Sequence, residues 1–386
     1  MIRANNMTHT SHKSMLGMSL VEILAAMLVG LIGMTIIMQV FSVSEGRKRT
    51  TTGTSDAQIT GNIAMFTIEH ELRSAGFGML TSDSNMLGCT TVAYDDDRTN
   101  PDFNFTMAPV VITDGAGGAP DQMTIIYGDA PQSVNGADFA SGVAPDANFP
   151  LGNAAGFRLG EIAVASDPAA GVNCAMVEIT GFAAGAVNNV VHATGAVYTY
   201  TNYLGFPVTV TASRNKAGGV NVGGNFTDSA QLFSLGRNPV VMTYLVNNNK
   251  METRTLIPFD AALDTDGDDL SEAEVASGIV QFQAQYGKDT DADRVVDTWD
   301  QTTPVNEPGW LQVQAVRFAL LVRSQQFERT AVTTAVPTWY GGAFTMTNVD
   351  GTADSNPGDA NDWRHYRYRT YQTVVPLRNM IWSTEP

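Results

Sequence analysis

One stretch constrains this chain more than any other: residues 18–43 read MSLVEILAAMLVGLIGMTIIMQVFSV, with Glu22 as the only charge. The uninterrupted apolar part after Glu22 is about 20 residues, which at ~1.5 Å per residue matches the ~30 Å hydrocarbon core of a bilayer. The seventeen residues before it, MIRANNMTHTSHKSMLG, are polar and carry Arg3 and Lys13 but no acid. A secretory signal places its small-residue cleavage site after the apolar region. Here Gly17 precedes that region, so a cut after it keeps the apolar helix in the mature chain. A carboxylate at the edge of such a span costs a few kcal/mol and demands a partner. An amine freed on Met18 would be a cation one turn away, or on a neighbouring copy. The other reading is an ordinary signal anchor whose Glu22 reaches up to the interface.

Beyond the span, Arg47, Lys48 and Arg49 suit lipid head groups or the C-terminal end of the helix dipole. Basic residues flank the span on both sides, so their balance does not set its orientation. From Asp56 to Ser74 the pattern DAQITGNIAMFTIEHELRS predicts a helix. Ile59, Ile63 and Phe66 fall on one face, and Met65, Ile68 and Leu72 on another. Two apolar stripes suit a helix that touches its own domain on one side and neighbouring subunits on the other; deep burial in one core is the alternative. Gly76-Phe77-Gly78 ends the helix. Gly30, Gly33, Gly46, Gly53 and Gly61 each weaken it, and local melting between Gly46 and Gly61 would be no surprise.

The order Gly17-Met18-Ser19-Leu20-Val21-Glu22 resembles the prepilin peptidase site of type IV pilins and pseudopilins. In that family a Gly precedes the cut and a Glu is the fifth residue of the processed chain. Met18 stands where the family usually has Phe. The resemblance implies cleavage after Gly17, methylation of the new N-terminus at Met18, and an assembly role for Glu22. It also sets the topology, leader inside and body outside: a single-pass protein of the bacterial inner membrane before assembly, then part of an extracellular pilus at the cell surface. The implied division is a leader at 1–17, a transmembrane and assembly helix at 18–76, and a globular domain at 77–386.

Residues 80–260 show short apolar runs such as QMTIIYG, EIAVAS, AMVEITG and NPVVMTYLV, separated by Gly, Asn, Asp and Pro, which predict strands. The Ala- and Gly-rich segments around 133–156 and 183–195 predict long loops. Strand patterns continue in the C-terminal third. A long helix followed by an antiparallel sheet places the chain in the α+β class. The blocks LGRNPVVMTYLV (235–246), VQFQAQYGKDTDADRVVDTW (280–299), VQAVRFALLVRS (313–324) and RHYRYRTYQTVVPLRNMIW (364–382) resemble the PilW group of minor pilins. That likeness implies a low-abundance subunit that primes or caps a filament. Its implied partners are other pilins through the N-terminal helix, the prepilin peptidase and the pilus assembly platform. A type II secretion pseudopilin, a main filament subunit and a membrane-anchored adhesin that never polymerises remain the alternatives. The region from about 90 to 230 carries none of the family's blocks.

The formal net charge of −17 argues against nucleic acid as a partner of the body, because phosphate binding needs clustered Lys and Arg. It suits divalent cations where carboxylates bunch. Two acidic runs share one spacing: Asp264, Asp266, Asp268 and Glu272, and Asp289, Asp291, Asp293 and Asp297, each at relative positions 1, 3, 5 and 9. Alternating carboxylates on a tight loop supply the hard oxygens that calcium takes. Neither run completes an EF-hand: the sixth position is Asp269 or Arg294 instead of Gly, and the twelfth is Val275 or Asp300 instead of Glu. A structural calcium in each loop is the expectation, with a solvated acidic turn as the alternative. Cys89 and Cys174 are the two cysteines, and in an exported chain a disulfide between them would stabilise it by ~3–4 kcal/mol. Spacing alone leaves open whether they meet.

Arg364, His365, Arg367, Arg369 and Arg378 interleave with Tyr366, Tyr368 and Tyr371. Such a strip could hold single-stranded DNA; in a chain this acidic, arginines pairing with the protein's own carboxylates is the favoured reading. No catalytic signature accompanies it. Of the five histidines His9 and His12 lie in the leader, none is read at metal-ligand spacing with another, and nucleophile-elbow, phosphate-loop and dinucleotide motifs are missing. The expectation is a protein that is not an enzyme.

Overall fold

The computed structural model describes residues 19–79, 86–130, 136–183, 188–202, 204–352 and 361–381. Its first element is a helix of 55 residues, Leu20–Ser74. The helix is continuous through the glycine-containing stretch from 46 to 61, so the melting considered there is not seen. Helical hydrogen bonds are maintained at a glycine; what glycine lowers is the free-energy margin. The chain divides into two compact units, Met1–Gly53 and Thr54–Pro386, with the division falling inside this helix.

In the first unit the helix is apolar on every side from Ile23 to Val43, and Leu24, Leu28, Leu31, Ile37 and Phe41 are all exposed. Thr35 donates its hydroxyl to the carbonyl of Ile32 at 2.8 Å, so this mid-span polar group finds its acceptor within the helix.

The second unit begins with the remaining helical turns, and here the two stripes separate. Ile68 and Leu72 are 0% exposed and Met65 packs against the same core, whereas Ile59, Ile63 and Phe66 expose 60%, 51% and 72%. The alternative of a helix buried on all sides is therefore excluded. Close approach of the sheet is possible because residue 61 is a glycine: a Cβ there would lie 2.2 Å from the Tyr371 ring. Tyr371 then donates its hydroxyl to the carbonyl of Ala57 at 3.3 Å. The helix ends with the side-chain amide of Asn379 donating to the carbonyls of Ala75 (2.9 Å) and Ser74 (3.3 Å), two groups that a helix end leaves without intrahelical partners. Gly76 and Gly78, at φ of 77° and 80°, turn the chain toward the strands.

Six sheets follow among the described residues, of which three have four strands or more. The first runs in the order Asp102–Thr106, Thr90–Tyr94, Cys174–Glu178, Ile162–Ser166, Gln231–Gly236 and Ala137–Asp138. Its pairs are antiparallel except Thr90–Tyr94 with Cys174–Glu178, which is parallel. The second sheet, Ser271–Ser277, Lys250–Ile257, Val240–Asn247, Gln122–Tyr127 and Val110–Thr113, is antiparallel throughout. Its central hairpin turns at Asn248-Asn249, both at positive φ (49° and 61°), as a two-residue turn matched to strand twist requires. The third sheet is Thr298–Asp300, Ile279–Lys288, Val313–Arg323 and Tyr368–Pro376.

The helix face with Ala64, Ile68 and Leu72 joins Phe282, Val316, Phe318 and Leu320 in one core that also takes in Ile125 and Tyr244 of the second sheet. A second core, around Phe139, Phe149, Phe157 and Phe226, lies within the span from 90 to 232. The fold is α+β, a long N-terminal helix followed by an antiparallel β-rich domain. The segments at 133–156 and 183–195 contain only short strand pieces among their described residues.

Cys89 and Cys174 form a disulfide, with Cα atoms 6.0 Å apart across 85 positions of sequence. The parallel pairing of Thr91 with Cys174 brings them together.

Candidate functional site

The N-terminal site starts at the edge of the described residues: Gly17, Met18 and the leader 1–17 lie outside them. Ser19 precedes the helix, and its hydroxyl accepts the backbone N–H of Val21 at 3.3 Å. Glu22 reaches back, its Oε2 accepting the backbone N–H of Ser19 at 3.3 Å. This reciprocal arrangement is a capping box, worth about 1 kcal/mol to a helix start. The spacing Ser19-x-x-Glu22 announces it in the sequence, where it is overshadowed by the membrane edge. Glu22 therefore has a local acceptor role as well as a charge.

Within Leu20–Lys48 the most apolar stretch of the helix has a mean hydropathy of 2.4 and no buried residue. It is long and apolar enough to cross a membrane. A helix apolar all round needs a nonaqueous surrounding, either lipid or the apolar faces of other helices.

Both acidic runs form hairpin connections. The first lies between strands Lys250–Ile257 and Ser271–Ser277, the second between Ile279–Lys288 and Thr298–Asp300. Their hydrogen-bond frames coincide position by position. The carboxylate at position 1 accepts the N–H at positions 4 and 6: Asp264 takes Gly267 (2.8 Å) and Asp269 (3.2 Å), while Asp289 takes Ala292 and Arg294 (both 2.7 Å). Position 3 accepts the N–H of position 5, and position 5 that of position 7. Position 9 accepts the threonine hydroxyl at position 2, Thr265 to Glu272 and Thr290 to Asp297. Positions 4 and 6 have positive φ in both loops: Gly267 (81°) and Asp269 (63°), Ala292 (64°) and Arg294 (67°).

The oxygens brought together are fewer than the four per run named from the sequence. In the first loop, one oxygen each of Asp264, Asp266 and Asp268 lie within 4.8 Å of one another, and Glu272 stands outside that group. In the second, Asp289, Asp291 and Asp297 do so, and Asp293 stands outside. The first loop also receives Arg254, whose guanidinium lies 3.0 Å from Asp268, 3.6 Å from Asp266 and 3.5 Å from Glu272. Asp291 accepts the N–H of Asp293, which favours its charge, yet the carboxylates of Asp293, Asp297 and Asp289 leave its pKa raised. Asp269 serves as an anchor: burial pushes its carboxyl up, but N–H donors from Asn100 and Thr99 and the charge of Arg98 bring it below the usual range. A third acidic group, Asp95 to Asp97, also gathers three oxygens. Its signal is the plain run of three aspartates, and Arg214 lies 3.6 Å from Asp95.

The basic-aromatic strip is largely paired within the chain. Arg367 contacts Glu328 at 3.2 Å and Arg364 contacts Asp362 at 3.1 Å, while Arg369 lies over Tyr371. His365 is buried and stacked on Phe327, with Nδ1 at 2.6 Å from the carbonyl of Glu328.

Residues 243–379 match the model of the PilW family, described as type IV pilus-assembly protein W. This bears out the resemblance read from the C-terminal blocks, and the matched stretch contains both acidic loops. No curated protein matches the chain. Among solved structures, a type IV-like pilin from Thermus thermophilus is similar at 10% identity, covering 85% of this chain and 96% of that one, with a TM-score of 0.31.

Proposed function

We propose that this chain is a minor subunit of a type IV pilus that primes or caps the filament, after prepilin peptidase has removed residues 1–17. The observation that carries this reading is the helix: apolar on all sides after Glu22 as far as Val43, then half-seated on a β-rich domain with a second apolar stripe left exposed. Such a helix can wait in the inner membrane and later exchange lipid for the helices of other pilins, which the assembly platform would bring to it. The family match supports the pilus over other destinations. The disulfide supports a body on the oxidising side of the membrane. In the filament, Glu22 faces the methylated N-terminal amine of a neighbouring subunit. Mass spectrometry of sheared surface filaments tests the proposal. It should find this chain in small proportion to the main subunit, beginning at a methylated Met18. Recovery only from the membrane fraction, with the leader attached, would refute it.

Calcium in the acidic loops belongs to the same reading, as a structural ion. The second loop is the better candidate, because Arg254 already stands among the carboxylates of the first and compensates them. Asp289, Asp291 and Asp297 would supply oxygens to a cation that takes six to eight. Calcium at a hundredfold over its dissociation constant should stabilise the body by about 2.7 kcal/mol. Asp289→Asn with Asp291→Asn should remove that gain, while Arg254→Gln should leave it. Thermal melting in calcium and in chelator measures both; coincident melts of the unaltered protein would dismiss the ion.

A further inference from the structure

The region from about 90 to 230 lies outside the family match, yet it helps to build a cavity of about 330 Å³. Three elements converge on it. Arg158 and Glu161 precede the strand Ile162–Ser166, Tyr200 and Asn202 belong to the hairpin Val197–Thr201 and Pro207–Thr211 and its turn, and Arg237 and Asn238 follow the strand Gln231–Gly236. Gly236, at φ 87°, lets the last of these turn closely: a Cβ there would lie 2.0 Å from Oδ1 of Asp129.

The hydrogen bonds spent in this lining show which ones are left. Asp129 takes the backbone N–H of Asn238 at 3.0 Å and its side-chain amide at 2.8 Å, which leaves Oδ1 of Asn238 as an acceptor. Arg237 donates Nε to the carbonyl of Leu159 at 3.0 Å and lies 4.1 Å over the Tyr200 ring. Its two terminal nitrogens, like the whole guanidinium of Arg158, have no hydrogen-bond acceptor among the described residues. Asn202 spends Oδ1 on the N–H groups of Leu204 and Phe206, leaving its amide nitrogen. Glu161 is 2% exposed, and its Oε2 accepts from Ser234 at 2.8 Å and from the N–H of Arg158 at 3.1 Å. Its Oε1 has no donor, although the residue lines the cavity. That oxygen can accept a hydrogen bond from a ligand hydroxyl.

We propose that this cavity binds a carboxylated hexose, a hexuronic acid or a short chain of them. Glu161 feels the charges of Arg237 and Arg158 across the cavity, but neither guanidinium hydrogen-bonds a carboxylate there, so in a protein of net charge −17 their N–H groups stay available to an anion. Their planar forks fit a carboxylate in particular. The acceptors Oε1 of Glu161 and Oδ1 of Asn238 call for hydroxyl donors on the same ligand, which sulfate does not have. The Tyr200 ring offers a flat apolar surface for a sugar, and no aliphatic side chain lines the cavity to receive an apolar peptide residue.

Isothermal titration of the full chain in detergent micelles tests this with tri-galacturonic acid, maltotriose as the neutral counterpart, and sodium sulfate. Tri-galacturonic acid should bind saturably, and maltotriose and sulfate more weakly by about tenfold or more. Arg158→Gln changes an exposed side chain with no hydrogen bond to lose, so its fold should persist. It should weaken tri-galacturonate binding by about tenfold or more, while Lys216→Gln outside the cavity leaves it unchanged. Absence of saturable binding, equal binding of sulfate or maltotriose, or an unaltered affinity in Arg158→Gln would each overturn the assignment.

Discussion

Glu22→Ala should remove this chain from surface filaments almost completely while leaving its β-rich domain as stable as before. The expectation rests on where the charge goes. Glu22 sits at the first turn of the helix and shares in a capping box with Ser19. In a filament it would be enclosed by other apolar helices, where an uncompensated charge is opposed by about 3–5 kcal/mol. Opposite it would stand a neighbour's N-terminal amine; deleting the carboxylate leaves that amine unpaired. A loss of about 3 kcal/mol per added subunit is over a hundredfold in the incorporation equilibrium. Capping is a competing explanation, so Glu22→Gln separates the two. The amide oxygen still accepts the Ser19 N–H, but the charge is gone. Loss of incorporation in both variants, by immunoblot of sheared filaments with unchanged membrane levels, identifies the charge. Incorporation of Glu22→Gln at the normal level would dismiss the ion pair and leave only a helix cap.

What could be read in the sequence follows the range of the interactions involved. The membrane-length helix, its capping box and its two stripes depend on residues three or four apart, and periodicity records them directly: Ile59, Ile63 and Phe66 lie exposed while Ile68 and Leu72 are buried. The acidic loops are similarly local, and the shared 1, 3, 5, 9 spacing reappears as a shared hydrogen-bond frame. Spacing could not show that Arg254, brought in by strand pairing of Arg254 with Glu272, would enter the first loop alone. The cavity was invisible for the same reason. Arg158, Tyr200 and Arg237 come from three elements far apart in sequence that strand pairing brings together, and no local pattern links them. The division within the helix at Gly53 is also a matter of which residues find the β-domain, something periodicity cannot give.

The disulfide joins these two scales, because it fixes a long-range pairing that the sequence could only suggest. Cys89 and Cys174 lie at the parallel strand pair of the first sheet, where Thr91 sits opposite Cys174. Closing 85 positions of chain restricts the unfolded ensemble by about 4 kcal/mol in the chain-entropy account. Cys89→Ser with Cys174→Ser should therefore lower unfolding stability by about that amount, a substantial fraction of the 5–15 kcal/mol typical of a folded domain. Cys174 is fully buried, so the serine there adds a desolvation cost, and the Cys174→Ala version of the pair isolates the cross-link itself. Denaturant melts of the oxidised, reduced and doubly substituted proteins measure the loss. Equal midpoints for oxidised and reduced protein would mean that the strand pairing needs no cross-link. A drop shared by the reduced and substituted forms makes the bond the clasp that keeps the 90–230 region on the sheet, and with it the wall that carries Arg158 and Glu161.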